Sequence, residues 1–410
     1  MNIGTMVGVG VFLSAGFMAN EMRPREIFIA WLVGGLLAAA GARAYAACAD
    51  LVPRSGGEYR YLSDLLHPYL GYLAGWTSLL AGFSAPIATN AATAGAFAQT
   101  LAPGLDPSWV GAAIVVVFTL LHALHVSVSK WSQNVLALAK AVLLFGFVVV
   151  GLAVGSKSEP TWAPEKIGGL NAFMANLVFV MYAYSGWNTA IYAAEEFKNP
   201  RRDVPRAMVI GALSVMLLYL AVNWVLVANL APDMVGTFLG ADKSRVTLGH
   251  MVAERLLGPT GGKIMSILVI MALLSAVSAM TMIGPRVYEA MARDGFLPRR
   301  FVGEAGRPPA WSVLLQGAIA LLLVRTHQIG EMIEKIGVLL TLMSTLTVLA
   351  LFRVPRKAGV TALTCAGLFI ALSLWMITSA VLRSPRDLLW VGAVAVLATI
   401  GYVATPRRKA

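Results

Sequence analysis

The sequence is poor in charge and in cysteine. Of its 410 residues, 13% are Asp, Glu, Lys or Arg and 58% are hydrophobic, so there is too little charge to cover a water-soluble globule of this size. The two cysteines, Cys48 and Cys365, lie within or beside apolar segments and indicate neither a disulfide framework nor a zinc site. The composition predicts a protein embedded in a lipid bilayer.

Long polar stretches are also missing, so we predict no separate soluble domain. A helix needs about 20 predominantly apolar residues to cross a hydrocarbon core of about 30 Å. We predict an all-α polytopic membrane protein with about twelve transmembrane helices, near residues 1–19, 27–49, 69–100, 108–128, 133–154, 171–193, 206–230, 263–292, 309–324, 333–353, 360–382 and 387–404. The longest connection, near 231–262, contains LGHMVAERLLG, which fits a short helix outside the bilayer.

An excess of basic residues gives the chain a net charge of +12, a feature shared with many nucleic-acid-binding proteins. Here, however, Lys and Arg cluster in alternate connections, as the positive-inside rule describes for membrane proteins. The richer side holds Arg54, Arg60, Lys130, Lys198, Arg201, Arg202, Arg206, Arg293, Arg299, Arg300, Arg307, Arg353, Arg356, Lys357, Arg407, Arg408 and Lys409. We predict that this side and both termini face the cytoplasm of a cell membrane, and that nucleic acid is not a partner.

Glycine interrupts two of the apolar segments. GTMVGVG surrounds Gly8 and AYSGW surrounds Gly186, and each opens a block of five predicted spans. Paired broken helices at corresponding positions of two halves are typical of inverted-repeat transporters, whose unwound backbone meets the substrate near the midplane. We predict two inverted halves, residues 1–154 and 171–353, followed by two peripheral spans in residues 360–404. Close helix packing of the GxxxG type is the alternative interpretation of the first-span glycines.

Five motifs follow one another in the order of a known transporter family. They are GTMVGVGVF, LVPRSGGEYRYL followed by GYLAGW, SVSKWSQNVLALAK, AYSGWNTAIYAAEEFKNPRRDVPRAM and GPRVYEAMARDGFLP. In these motifs, from residue 4 to about residue 357, the chain resembles the amino acid-polyamine-organocation transporters, and among them the L-type and related amino acid permeases. The resemblance implies ten core spans in two inverted halves, two peripheral spans, and transport of amino acids by alternating access.

The resemblance also implies where an amino acid binds. The expected carboxylate donors are the backbone amides of Val7, Gly8, Val9 and Gly10, and the expected ammonium acceptors are the carbonyls of Met6, Tyr182, Ala183 and Ser185. The ends of a broken helix offer both kinds of group, and glycine lets the ligand approach the main chain. Tyr182 stands where the family has an aromatic gate, whereas Trp187 fits a substrate contact or a packed core aromatic equally well. Val9 replaces a small polar residue of the family, which removes a hydroxyl contact and keeps the amide.

Lys140 interrupts an apolar run in the fifth predicted span. A cation at the centre of a membrane helix costs about 2.5 to 3.5 kcal/mol on insertion scales, although a lysine this near the helix end can snorkel to the interface. By resemblance, this lysine stands where sodium-coupled relatives bind a cation, and its ammonium would bridge the first and eighth spans. We therefore predict a coupling role for Lys140 in sodium-independent transport, driven by protons or by exchange.

A membrane-embedded enzyme, such as a lipid-modifying transferase, is the alternative function. It would use Glu58, Asp64 and His67 of the second connection, but these residues have no metal-ligand spacing and no nucleophile elbow accompanies them. We therefore predict a transporter that has no cofactor and no metal site.

Other polar residues receive weaker predictions. His122 and His125 fit interfacial histidines better than a proton relay, and Arg286 is expected to snorkel as a structural residue. Glu195 and Glu196 fit an inward-gate lock and a solvated turn equally well.

The connection LAPGLDPS between the third and fourth predicted spans contains no cysteine. In the eukaryotic L-type members, a cysteine in this connection joins a glycoprotein subunit. We expect no disulfide-linked heavy subunit for this chain.

The sequence starts inside the first predicted span, with only MNI before the glycine-containing motif. By resemblance, a half-helix of about ten residues would precede the motif and close the cytoplasmic side of the site. Residues 4–19 would form a helix of about 24 Å at 1.5 Å per residue, which is shorter than the bilayer core. We expect that Met1 is an internal or misassigned start and that the natural protein begins upstream.

Overall fold

The protein is all-α throughout the part described by the computed structural model, which is residues 5–124, 126–156, 160, 162–164, 167–230, 248–304, 309–326 and 329–405. The predictions made for Met1, His125, Arg307 and the basic residues after position 405 lie outside these residues. The helices are α1 (Gly10–Met18), α2 (Pro24–Leu51), α3 (Glu58–Leu65), α4 (Pro68–Thr77), α5 (Ala85–Leu101), α6 (Pro107–Leu124), α7 (Val126–Val154), α8 (Leu170–Tyr184), α9 (Pro200–Ala228), α10 (Leu248–Ile283), α11 (Pro285–Arg293), α12 (Ala310–Thr326), α13 (Ile329–Leu349), α14 (Pro355–Ala358), α15 (Val360–Arg383) and α16 (Asp387–Ala404).

As far as the structure describes them, the predicted apolar segments coincide with helical structure, and turns or a π-helix divide some of them. The third segment is divided by a π-helix over Ser78–Ser84 between α4 and α5. The short helix predicted in the longest connection forms the start of α10, which kinks at Gly258. Six helices in the described part of the chain are long and apolar enough to cross a membrane, so this is a polytopic membrane protein.

Proline defines where several helices begin. Pro24, Pro68, Pro107, Pro200 and Pro285 are each the first residue of a helix, the position at which the missing amide proton costs nothing and φ is already helical. The first four of these starts follow short connections, whereas Pro285 follows the end of α10 after a single residue.

The first broken helix lies at the centre of the molecule. Helix α1 contacts α8, α9 and α10, and its side chains are buried except for that of Phe17, which is partly exposed. Large apolar side chains instead cover the outer surface, as on α6, α7, α15 and α16, where Val117, Leu138, Leu382 and Val403 are all exposed. An exterior of apolar side chains is what contact with lipid requires.

Candidate functional site

The two predicted breaks are present. Residues 7–9 are irregular before α1 begins at Gly10. Helix α8 ends at Tyr184, and the chain resumes as a 3₁₀ helix at Thr189. Between them, Gly186 has a φ of +99°, a conformation that side chains of L-residues rarely adopt.

The structure brings these two breaks into direct contact. A Cβ atom at position 10 would overlap the backbone of Ala183, and one at position 186 would lie 3.1 Å from the carbonyl carbon of Thr5. The hydroxyls of Thr5 and Thr189 are 2.8 Å apart. Glycine therefore permits the backbones of the first and sixth predicted spans to touch, with unwound main chain on both sides.

Three of the four carbonyls predicted to accept an ammonium already have hydrogen-bond donors. The hydroxyl of Tyr219, on α9, lies 2.7 Å from the oxygen of Met6 and 3.0 Å from that of Ala183. The carbonyl of Tyr182 accepts from the amide of Ser185 at 3.0 Å. A carbonyl can accept two hydrogen bonds, so those of Tyr182 and Ala183 keep some capacity for a ligand. The carbonyl of Met6 also accepts from a backbone amide and is fully used. No sequence motif marks Tyr219 as a site residue.

Two of the predicted carboxylate donors are also engaged within the protein. The amide of Gly8 donates to the carbonyl of Met6 at 2.9 Å, and the amide of Val9 donates to Oδ1 of Asn90 at 3.0 Å. The side-chain nitrogen of Asn90 donates in turn to the carbonyl of Pro86 at 2.6 Å, which fixes the amide orientation of Asn90. A carboxylate could bind these amides only by replacing the present acceptors.

Lys140 reaches the first break. Its side chain is 2% exposed, and Nζ donates to the carbonyl of Val7 at 2.5 Å. Snorkelling to the interface is therefore the wrong interpretation of this lysine. Its contact with the first span follows the expectation taken from the resemblance.

Tyr182 does not line the cavity that opens beside the two breaks. Its ring is buried, and its hydroxyl lies 2.7 Å from that of Thr89 on α5. The aromatic rings that face the cavity are instead Phe83, Trp187, Tyr192 and Phe369.

A cavity opens beside the two breaks. It is lined by Thr5, by Ser185 and the residues that follow it, and by parts of the π-helix, α10, α13 and α15. Of the residues predicted to bind substrate, Ser185 alone lines it in this conformation. The remaining predicted groups lie behind the cavity wall, in the contact between the two breaks.

Glu58 lines this cavity although it is only 3% exposed. Its Oε1 accepts hydrogen bonds from the hydroxyl of Tyr45 at 2.5 Å, the amide of Asn188 at 3.3 Å and the hydroxyl of Ser344 at 3.2 Å. Glu58 belongs to α3, outside the membrane-capable helices, and burial raises the pKa of its carboxyl to about 7.

The residues of the alternative enzyme site each have different partners. Asp64 pairs with Arg54, and Nδ1 of His67 accepts from the amide of Tyr69 at 3.2 Å. Neither interaction involves Glu58.

Two other polar residues have partners within the protein. His122 is buried, and the hydroxyl of Ser278 on α10 lies 3.0 Å from its Nε2. Arg286 has the structural role expected of it, because its Nε and Nη2 donate to Oε1 of Glu196 at 3.0 and 2.8 Å. This ion pair joins α11 to the end of the 3₁₀ helix.

Comparison with known proteins agrees with this architecture. The family model described as amino acid permease matches residues 1–399. A serine/threonine exchanger of Bacillus subtilis is 28% identical over 330 residues, covering 78% of this chain and 74% of the relative. The mouse b(0,+)-type amino acid transporter 1 is 25% identical, covering 87% and 74%. The mouse large neutral amino acids transporter small subunit 2 is 29% identical, covering 72% and 57%. All three are named as transporters or exchangers rather than enzymes.

Proposed function

The chain belongs to the amino acid permease family, and from this premise we propose that it is a secondary active transporter of amino acids in the cell membrane. It works by alternating access, is independent of sodium, and is driven by exchange or by protons. The observation that carries the proposal is the contact between two broken helices, Gly10 against Ala183 and Gly186 against Thr5, beside a cavity.

The proposed topology has twelve spans, with residues 1–154 and 171–353 as inverted halves and residues 360–404 as peripheral spans. The two breaks support this division, since one lies in the first span of each half. The clustering of Lys and Arg in alternate connections supports cytoplasmic termini.

The proposed substrate site is the unwound main chain. A zwitterion requires donors for its carboxylate and acceptors for its ammonium, and both kinds of group are concentrated where a helix is interrupted. We assign the carboxylate to the amides of residues 7–10, and the ammonium to the carbonyls of Met6, Tyr182, Ala183 and Ser185. Binding then requires Asn90 to release the amide of Val9, and it places the ligand in competition with the hydroxyl of Tyr219.

Sodium independence and coupling rest on Lys140. Its amine already donates to the carbonyl of Val7, so when protonated it places a positive charge beside the first break, which repels a metal cation. Lys140 belongs to the fifth span and contacts the unwound backbone of the first. A change in that backbone on substrate binding is therefore transmitted to the fifth span, which is the coupling role proposed for Lys140.

The relatives' names guide the choice of substrates and coupling. One relative is named an exchanger of serine and threonine, so exchange of small neutral amino acids is the first mode to test. Another is named a small subunit, which implies a partner subunit for that protein. We propose that this chain has no disulfide-linked partner, because LAPGLDPS lacks cysteine.

Uptake into proteoliposomes tests the proposal. Labelled amino acids are offered to vesicles that contain unlabelled amino acid, an imposed pH gradient or neither, each with and without sodium. We expect saturable uptake stimulated by internal amino acid or by the pH gradient, and unaffected by sodium. Uptake that requires sodium contradicts the coupling, and absence of uptake for every amino acid contradicts the function.

A further inference from the structure

One acidic side chain and no basic side chain stand among the described residues that line the cavity beside the breaks. Among the described side chains that line it, Glu58 is the only one that carries a full charge when ionised near neutral pH. The rest of the lining is apolar, aromatic or neutral and polar, with Asn188, Ser185 and Ser344 among the polar members. Such a lining favours a ligand that carries positive charge.

The hydrogen bonds of Glu58 leave its charge uncompensated. All three donors, Tyr45, Asn188 and Ser344, are neutral, and all three contact Oε1. Oε2 takes part in none of these bonds, and no ion pair forms at Glu58 within the described ranges. A buried carboxylate without a cation is costly, so a cationic ligand that reached Oε2 would stabilise the ionised form.

Aromatic rings flank the same space. Phe83, Trp187 and Tyr192 all line the cavity, and the rings of Phe83 and Tyr192 pack edge to face with centroids 5.2 Å apart. Ring faces attract ammonium and guanidinium groups, and Arg guanidinium is a frequent partner of this kind.

Glu58 also lies near the proposed substrate main chain. Asn188, which donates to Glu58 at 3.3 Å, follows Ser185 by three residues, and both line the cavity. A substrate whose backbone groups sit at the break could therefore extend the stem of three or four methylene groups of arginine or lysine toward the carboxylate.

We propose that Glu58, with Phe83, Trp187 and Tyr192 around it, forms a subsite for the cationic side chain of a dibasic amino acid. This inference rests on the proposed transport of amino acids and adds a substrate class to it. Uncharged amino acids would use the main-chain site without this additional interaction.

Arginine and citrulline test the subsite, because they share size and shape and differ in the charge of the terminal group. Each is used to inhibit uptake of one labelled neutral amino acid in proteoliposomes. A charged hydrogen bond favours arginine by at least about tenfold in the wild type, and Glu58→Gln brings the ratio of the two inhibition constants close to one. Asp64→Asn, on the same short helix but paired with Arg54, keeps the wild-type ratio.

A second measurement does not depend on transport. Arginine should raise the unfolding temperature of the detergent-purified wild type more than citrulline does, and this difference should vanish in Glu58→Gln.

Equal inhibition by arginine and citrulline in the wild type, or an unchanged ratio in Glu58→Gln, overturns the subsite. An unchanged ratio combined with a lost pH dependence of neutral uptake identifies Glu58 as a proton site instead. Neutral uptake without arginine preference contradicts the subsite alone, whereas no uptake of any amino acid contradicts the proposed function.

Discussion

Gly10 lies against Ala183 so closely that a Cβ atom at position 10 would overlap the Ala183 backbone. The overlap is with main-chain atoms, so a rotamer change cannot relieve it. The absence of a side chain thus permits this close approach of α1 and α8 beside the two unwound segments, and any larger residue at position 10 must separate the two helices.

Gly186→Ala tests the second break. Its φ of +99° is unfavourable for alanine by about 1–2 kcal/mol, and the added Cβ would lie 3.1 Å from the carbonyl carbon of Thr5. We expect a lower unfolding temperature and a strong reduction of amino acid uptake at matched protein amounts. Gly367→Ala on α15 is the control, since no described atom lies within 4 Å of a Cβ placed there. Wild-type uptake by Gly186→Ala would show that the break tolerates a side chain.

Tyr219→Phe tests the shared hydroxyl. The substitution preserves the ring and removes the hydroxyl that lies near the carbonyls of Met6 and Ala183. A buried carbonyl without its donor costs about 1–3 kcal/mol, so the ligand-free protein should unfold at a lower temperature. Because a substrate ammonium would supply the missing donor, we expect a saturating amino acid to stabilise this variant more than it stabilises the wild type. If the amino acid raises the unfolding temperature of the variant and of the wild type equally, the hydroxyl of Tyr219 does not occupy the place of the substrate ammonium.

Lys140→Ala tests coupling. The variant loses the donor to Val7 and the charge beside the first break. We expect net uptake to be lost or to become independent of the pH gradient or internal amino acid, with near-normal protein in the membrane. Lys357→Ala, at an exposed position, should leave uptake unchanged. Normal uptake and normal pH dependence in Lys140→Ala would assign this lysine a purely structural role.

Stability should depend on pH through Glu58. Burial raises the pKa of its carboxyl from the ordinary value of 4.5 to about 7, so the folded state binds more protons than the unfolded state between these values. Its contribution to the free energy of unfolding is therefore present below pH 4.5 and is lost as the pH rises through 7. Relative to Glu58→Gln, the wild type should lose stability between about pH 5 and 8, measured as unfolding temperature in detergent. Parallel curves for the two proteins would contradict this titration.

The positions of the two breaks were predictable because the glycines that indicate them lie at the breaks themselves. Gly8, Gly10 and Gly186 interrupt apolar segments, and a glycine where a helix would otherwise continue indicates unwound or closely packed backbone. Proline at helix starts and alternating basic connections are local signals of the same kind. Lys140 stood out as a single charge within an apolar run, but the run alone left snorkelling open, and its contact with the first span was expected from the resemblance.

The cavity lining was not predictable in this way. Helices α1 and α8 are predominantly apolar, so periodicity does not identify the face that meets the cavity. Glu58 lies in a polar connection whose composition indicates solvent, yet it meets Ser344 of α13, which is distant in sequence. Long-range contacts of this kind carry no signature in the neighbouring residues.

Equilibrium binding of labelled amino acids to purified protein in detergent tests the central claim, that the touching breaks form the substrate site. The wild type and Gly367→Ala should each show one saturable site that unlabelled amino acid displaces, and Gly10→Ala should show none while remaining folded by its unfolding transition. Wild-type affinity in folded Gly10→Ala protein would contradict the claim.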